Sequence, residues 1–193
     1  MRPPRIVGIG GAARPGSSTE RVLIQALRSA DELGAETRLY GGAFLAELPL
    51  FNPYAEPSPR LLALAEAVRE ADGVILASPG YHGSVSGLLK NALDGLEVLR
   101  DDLRPYLDGR AVGCIVTADG WQAAGATLAA LRAIVHALRG WPTPLGAALR
   151  ASPDLLDAEG FCREPRDAAQ LETVGRQVCD FARRMQQDAK AGA

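Results

Sequence analysis

Apolar runs of strand length alternate along this chain with stretches whose apolar positions recur at helical spacing. Arg5-Ile-Val-Gly-Ile9 predicts a first strand and Glu36-Thr-Arg-Leu-Tyr40 a short second strand near an edge. Gly73-Val-Ile-Leu-Ala77 predicts a buried third strand, Ala111-Val-Gly-Cys-Ile-Val116 a fourth, and residues 143–149 a weaker fifth. A helix over residues 18–33 buries Val22, Leu23, Ala26, Leu27 and Ala30; Ser17-Ser-Thr-Glu20 gives it a capping-box start and Gly34 a stop. Ser58-Pro59 caps a second helix through Ala71. Further helices are predicted over residues 83–99, 125–138 and 166 to about 188, with a Pro- and Asn-rich loop over 44–56 and a charged connection over 100–109.

Strands alternating with helices imply a parallel sheet covered on both faces, because parallel neighbours need right-handed crossovers. Five strands in this pattern favour the order 2-1-3-4-5, in which ligands bind beyond the carboxyl ends, between the first and third strands. The turns after the first, third and fourth strands then converge on one crevice.

Composition narrows the picture. At 193 residues the chain suits one domain over 1–193, with 47% apolar and 23% charged residues. A net charge of -2 argues against nucleic acid or an anionic membrane as the main partner, since both call for a basic surface. Three widely spaced cysteines, Cys114, Cys162 and Cys179, match no zinc or redox pattern and are expected as reduced thiols. Met1-Arg-Pro-Pro-Arg5 runs into the first strand without a long apolar stretch, and a cytoplasmic protein is expected.

Chemistry concentrates in three turns. Gly10-Gly-Ala-Ala-Arg-Pro-Gly-Ser-Ser-Thr19 offers what a phosphate needs at a helix N-terminus: free amides, the cation Arg14, and the hydroxyls of Ser17, Ser18 and Thr19. Gly8-Ile-Gly-Gly-Ala-Ala13 also fits the dinucleotide pattern G-x-G-x-x-A, but Arg38-Leu-Tyr-Gly-Gly42 lacks the acid that pattern needs for a ribose. The second turn opens Ser78-Pro-Gly-Tyr-His-Gly-Ser-Val-Ser-Gly-Leu-Leu-Lys-Asn-Ala-Leu-Asp94, where small residues let a flat ligand approach the main chain. The third, Thr117-Ala-Asp-Gly-Trp-Gln-Ala-Ala-Gly125, also allows close approach, and its Trp121 either covers a ligand or packs on a partner. Triads, metal-ligand spacings and paired carboxylates are not apparent. His82 is the one histidine in a ligand turn and the single candidate acid; His136 falls within a helix and reads as structural or interfacial.

The 78–94 segment resembles the flavin loop of the flavodoxin-like NAD(P)H-dependent FMN reductases, S-P-x-Y-x-G-S-x-x-G-x-L-K-N-A-x-D. Their phosphate loop, G-S-x-R-x-x-S-x-N/T, matches Arg14, Ser17 and Thr19, while its first serine falls on Ala12. Relatives often carry Glu and Asn where this chain has Gly80 and His82. The resemblance spans roughly residues 6–150. It implies a flavodoxin-like three-layer α/β sandwich that binds FMN and passes hydride from NADPH or NADH to flavin, quinone or another small acceptor. It implies that Pro79, Gly80, Tyr81, His82, Gly83 and Ser84 lie along the flavin ring, and that Thr117, Asp119, Gly120 and Trp121 complete the pocket. Lys90, Asn91 and Asp94 match the motif but are assigned to the helix and its packing. A homodimer or homotetramer with the flavin near a subunit interface is also implied, the helices after Gly83 and Gly125 being candidate contacts. A flavoenzyme asks its protein mainly for orientation, which suits the lack of an acid–base pair. Two alternatives stay open: a specialised biosynthetic flavoenzyme with a dedicated substrate, and a non-enzymatic FMN electron carrier.

Overall fold

The computed structural model describes residues 2–191. Its centre is a parallel sheet of β1 (Arg5–Gly10), β2 (Glu36–Tyr40), β3 (Gly73–Tyr81) and β5 (Ala111–Ala118), extended at one edge by β6 (Trp141–Pro142) and β7 (Ala147–Arg150). A short β4 (Ser84–Val85) pairs antiparallel with the end of β3. The order is β2-β1-β3-β5-β6, with β7 also against β5. The register runs Ile6↔Thr37, Ile6↔Gly73 and Gly73↔Ala111 across the first four strands.

Both sheet faces are apolar, which is why the central strands read as unbroken apolar runs. Val74 and Leu76 point to one side, against Leu64 and Val68 of α3 (Pro59–Glu70), Leu89 and Leu93 of α4 (Gly87–Gly95) and Leu131 of α5 (Trp121–Ala137). Ile75 and Ala77 point to the other, against Leu23 and Leu27 of α1 (Ser18–Glu32) and Leu171, Val174 and Val178 of α6 (Pro165–Ala191). Period-2 alternation thus feeds two cores from one strand. At the amino-terminal end of β5 the buried Arg110 donates to the carbonyls of Arg69, Ala71, Tyr106 and Asp108, and burial lowers its pKa to about 10.

The flavodoxin-like layering and the five predicted lanes agree with this arrangement, but the sheet has seven strands rather than five. The strand predicted over residues 143–149 forms only from Ala147, as β7, and a separate short β6 precedes it. Pro142 and Pro144 have no N–H to give the ladder. Around them, the Thr143 carbonyl takes Arg132 at 2.9 Å and the Leu145 amide goes to Gln177 Oε1 at 3.0 Å, so side chains replace ladder bonds.

Three boundaries also differ. Residues 83–86 are not the start of a helix: β3 runs on to Tyr81, the chain folds back as β4, and Ser86 caps α4 by accepting from the Leu89 amide at 3.2 Å. The helix predicted from residue 125 begins at Trp121, with the Ala124 amide bonded to the Gly120 carbonyl at 2.9 Å. The predicted loop over 44–56 begins inside a short helix α2 (Gly42–Ala46).

Candidate functional site

A cleft of about 390 Å³ lies beyond the carboxyl ends of β1, β3 and β5. Its first wall is the β1–α1 turn, which contributes Ala12, Ala13, Arg14, Ser17, Ser18 and Thr19. Ser17 caps α1: its Oγ accepts from the Glu20 and Ala12 amides, each at 3.2 Å. The predicted capping box is not reciprocal, however. Glu20 reaches past Ser17 to accept from the Gly16 amide at 3.1 Å and the Gly42 amide at 2.7 Å, tying the turn to α2. Gly42 is set by a different neighbour, since a Cβ there would overlap the Ala12 carbonyl.

Thr19 Oγ1 lies 2.6 Å from Thr117 Oγ1, and both residues are buried. The hydroxyls of Ser17 and Thr19 are therefore already engaged with the protein. Arg14 is exposed and Ser18 half-buried, and Arg14 makes no ion pair among the described residues. The amides of Ser18 and Thr19, in the first turn of α1, have no partner among the described hydrogen bonds. Open amides at the positive end of a 15-residue helix, beside a guanidinium and a hydroxyl, fit a phosphomonoester.

The second wall is the end of β3, contributing Pro79, Gly80 and Tyr81. Tyr81 pairs with Ser84 across His82 and Gly83, whose φ values are 52° and 80°. Two consecutive positive φ angles are the signature of a type I′ hairpin. Two hydroxyls fix this hairpin. Ser78 Oγ accepts from the Ser86 amide at 2.9 Å and donates to the Pro79 carbonyl at 2.8 Å; Thr127 Oγ1 donates to the Ser84 carbonyl at 3.4 Å. Gly80 lets α5 pack this closely, since a Cβ there would lie 2.8 Å from Thr127 Oγ1 and 3.1 Å from the Ala118 Cβ.

The third wall is Thr117, Ala118 and Asp119 at the end of β5, joined by Ala151, whose amide bonds to the Ala118 carbonyl at 2.8 Å. Of the expected site residues, Arg14, Ser17, Ser18, Thr19, Pro79, Gly80, Tyr81, Thr117 and Asp119 come together here. His82, Gly83 and Ser84 stand exposed at the hairpin tip, outside the lining. Gly120 caps α5, and Trp121 is on its first turn, 62% exposed, rather than in a loop. Ala118, the last residue of β5, lines the cleft within the expected 117–121 stretch, while Ala12, Ala13 and Ala151 line it without having been singled out; each of these three is a small residue just beyond a strand's carboxyl end, and that position was the available signal.

The cleft is suited to holding a flat, phosphorylated ligand rather than to acid–base or thiol chemistry. Burial pushes the Cys114 thiol up to about 12 and, with help from Asp167 and Asp157, the Cys162 thiol up to about 11; neither residue lines the cleft. Among the described residues, no three His, Cys, Asp or Glu side chains cluster as metal ligands, and no helix is long and apolar enough to cross a membrane.

Comparison with known proteins identifies this arrangement. The family model described as NADPH-dependent FMN reductase matches residues 4–152. An FMN-dependent NADPH-azoreductase of Staphylococcus haemolyticus is 31% identical over 144 residues, covering 70% of this chain and 71% of that protein. The corresponding protein of Staphylococcus saprophyticus is 43% identical over 84 residues, covering 44% of this chain and 41% of its own length. For several curated relatives the matched stretch spans less than half of their length. Among solved structures, the flavoenzyme NAD(P)H:acceptor oxidoreductase FerB of Paracoccus denitrificans superposes with a TM-score of 0.72 at 21% identity, over 94% of this chain and 98% of that one. With the flavodoxin-like sheet, the three converging turns and a family match across most of its length, the chain belongs to the NADPH-dependent FMN reductase family of flavoprotein oxidoreductases.

Proposed function

We propose that this protein binds one FMN in the cleft and uses NADPH, or NADH, to reduce a small acceptor such as a quinone, an azo compound or free flavin. The observation that carries this reading is the meeting, in one cleft, of an anion cradle at α1 and a main-chain wall at Pro79–Tyr81. Arg14, Ser18 and the open amides of the first turn hold the phosphate. Ser17 and Thr19 act indirectly, by fixing the shape of that turn. The end of β3 offers backbone groups to the ring edge, and the small residues Ala12, Gly80 and Ala118 leave room for the ring.

Bound FMN would supply the redox chemistry, with hydride from the reduced nicotinamide as the source of electrons. The chain supplies position and exclusion of water, with no side-chain acid needed at the hydride step. The protein acts in the cytoplasm as a homodimer or homotetramer. Tyr81 and Trp121, 54% and 62% exposed beside the cleft, are the aromatic surfaces a second copy would cover.

The test is an equilibrium FMN titration followed by anaerobic mixing with NADPH. One FMN per chain, and bleaching of its visible band, are expected. No flavin binding, or bound flavin that NADPH does not reduce, would overturn the activity.

A further inference from the structure

The carboxylate of Glu20 has a compartment of its own between the phosphate turn and α2. Its Oε1 accepts from the Gly16 amide at 3.1 Å and its Oε2 from the Gly42 amide at 2.7 Å. Two further glycines make room for it. A Cβ on Gly41 would stand 2.5 Å from Oε2, and one on Gly11 would stand 3.2 Å from the same oxygen. Gly11 just follows β1 and Gly41 just follows β2, and these strands are parallel neighbours in the register Ile9↔Tyr40. The sheet thus brings two glycine pairs, 10–11 and 41–42, to one carboxylate.

The two sides of this compartment are anchored very differently. On the α2 side Leu45 is buried, and the Phe44 ring meets Tyr40 edge-on at 4.7 Å with the Arg60 guanidinium 4.7 Å from its centre. On the other side Ala13, Arg14, Pro15 and Gly16 are all exposed, and Gly16 has a φ of 66°. Two of the described hydrogen bonds fasten residues 12–16: the Ala12 amide on Ser17 Oγ at one end and the Gly16 amide on Glu20 at the other. Arg14 stands midway between them. Charge alone argues against an acid here, since Glu20 shares the positive end of α1 with the proposed phosphate. What a carboxylate offers, and a neutral amide does not, is two acceptor oxygens for two N–H groups.

We infer that Glu20 is a positioning residue for the FMN phosphate: by joining the Gly16 and Gly42 amides through one carboxylate, it holds the phosphate turn against α2 and sets where Arg14 stands. The inference rests on the proposed placement of FMN, and it adds a residue that does not itself line the cleft. It also states which effect of the carboxylate wins. The order that Glu20 imposes on the turn outweighs the repulsion it exerts on a phosphate.

The experiment is titration with FMN and with riboflavin of wild type, Glu20→Gln, Gly41→Ala, Arg14→Ala and the Arg14→Ala/Glu20→Gln double variant. Glu20→Gln removes the charge and one of the two acceptors; FMN should bind about tenfold more weakly and riboflavin nearly as before. Gly41→Ala keeps the charge but presses a methyl on Oε2, at a φ of -80° that alanine accepts, and should weaken FMN in the same direction. Should Glu20→Gln not fold, Gly41→Ala decides. In the Arg14→Ala background Glu20→Gln should cost FMN much less, because the group it positions is gone. Tighter FMN binding by Glu20→Gln would show that repulsion governs, and would overturn the role. So would unchanged FMN binding in either variant, an equal loss for riboflavin, or strict additivity with Arg14→Ala. If wild type binds no FMN, the proposed function falls and this role with it; if wild type binds FMN and the variants match it, only the role of Glu20 falls.

Discussion

The side-chain oxygens of Thr19 and Thr117 lie 2.6 Å apart although the residues are 98 positions apart in the chain. This buried bond joins the first turn of α1 to the end of β5, and so couples the first wall of the cleft to its third wall. Replacing either threonine with valine keeps the shape but leaves the other hydroxyl buried without its partner. Each single change should cost about 1–3 kcal/mol, and the double change less than the sum. Urea denaturation of the four proteins measures the cycle; strict additivity would show that the bond does not couple the walls.

Gly80 and Thr127 should also be coupled. A methyl at residue 80 presses on Thr127 Oγ1 and the Ala118 Cβ, so Gly80→Ala should cost roughly 1–3 kcal/mol by overpacking and weaken FMN by moving the hairpin. Adding Thr127→Ala opens the closest contact and should return part of both losses. If Gly80→Ala is neutral in thermal unfolding and in FMN titration, the close packing of α5 on the hairpin is not a constraint.

His82 has a φ of 52° at the first central position of a type I′ turn, where asparagine is more at ease, and it stands outside the cleft lining. His82→Asn should therefore stabilise the protein slightly, by less than about 1 kcal/mol. FMN should be retained, and the rate of flavin reduction by NADPH should change by less than about tenfold, or ~1.4 kcal/mol. Stopped-flow reduction from pH 5.5 to 8.5 is the check. A far larger loss, with an imidazole-like pKa vanishing from the profile, would make His82 a catalyst.

Much of the fold is legible in the sequence because strand and helix periods are strong where both faces are buried. Gly73–Ala77 could be read as a strand, and Val22, Leu23, Ala26, Leu27 and Ala30 are all buried as their helical spacing predicts. The missed features depend on contacts between distant segments. The turn at Tyr81–Ser84 carries no alternating pattern, and its hairpin is held by Ser78 and Thr127. Gly41-Gly42 hides the start of α2, where Gly42 is small because the Ala12 carbonyl stands against it. Alanines at 123 and 124 could be read as a loop rather than the first turn of α5. The same limit applies at the site. The hydroxyls of Ser17, Thr19 and Thr117 suggest ligand contacts, but the first caps a helix and the other two bond each other.

Alkali should destabilise the fold through Cys114. Its folded pKa is raised by burial to about 12, above the ordinary thiol value of about 9, so below about pH 9 neither state has lost the proton and the stability is fully present. Between that point and about pH 12 the unfolded thiol ionises first, and stability falls with rising pH. The urea midpoint at pH 10.5 should therefore drop below that at pH 8, and Cys114→Ala should reduce the difference. An equal drop in Cys114→Ala would assign the alkaline loss to other groups.

The central claim is that FMN sits with its phosphate at the start of α1, against Arg14. Parallel titrations of wild-type protein and Arg14→Ala with FMN and with riboflavin, which lacks the phosphate, test it most directly. Loss of a charge-assisted contact worth ~1.5–3 kcal/mol should lower FMN affinity roughly tenfold to a hundredfold and leave riboflavin nearly unchanged. Equal losses for both flavins, or no loss for either, would contradict the placement.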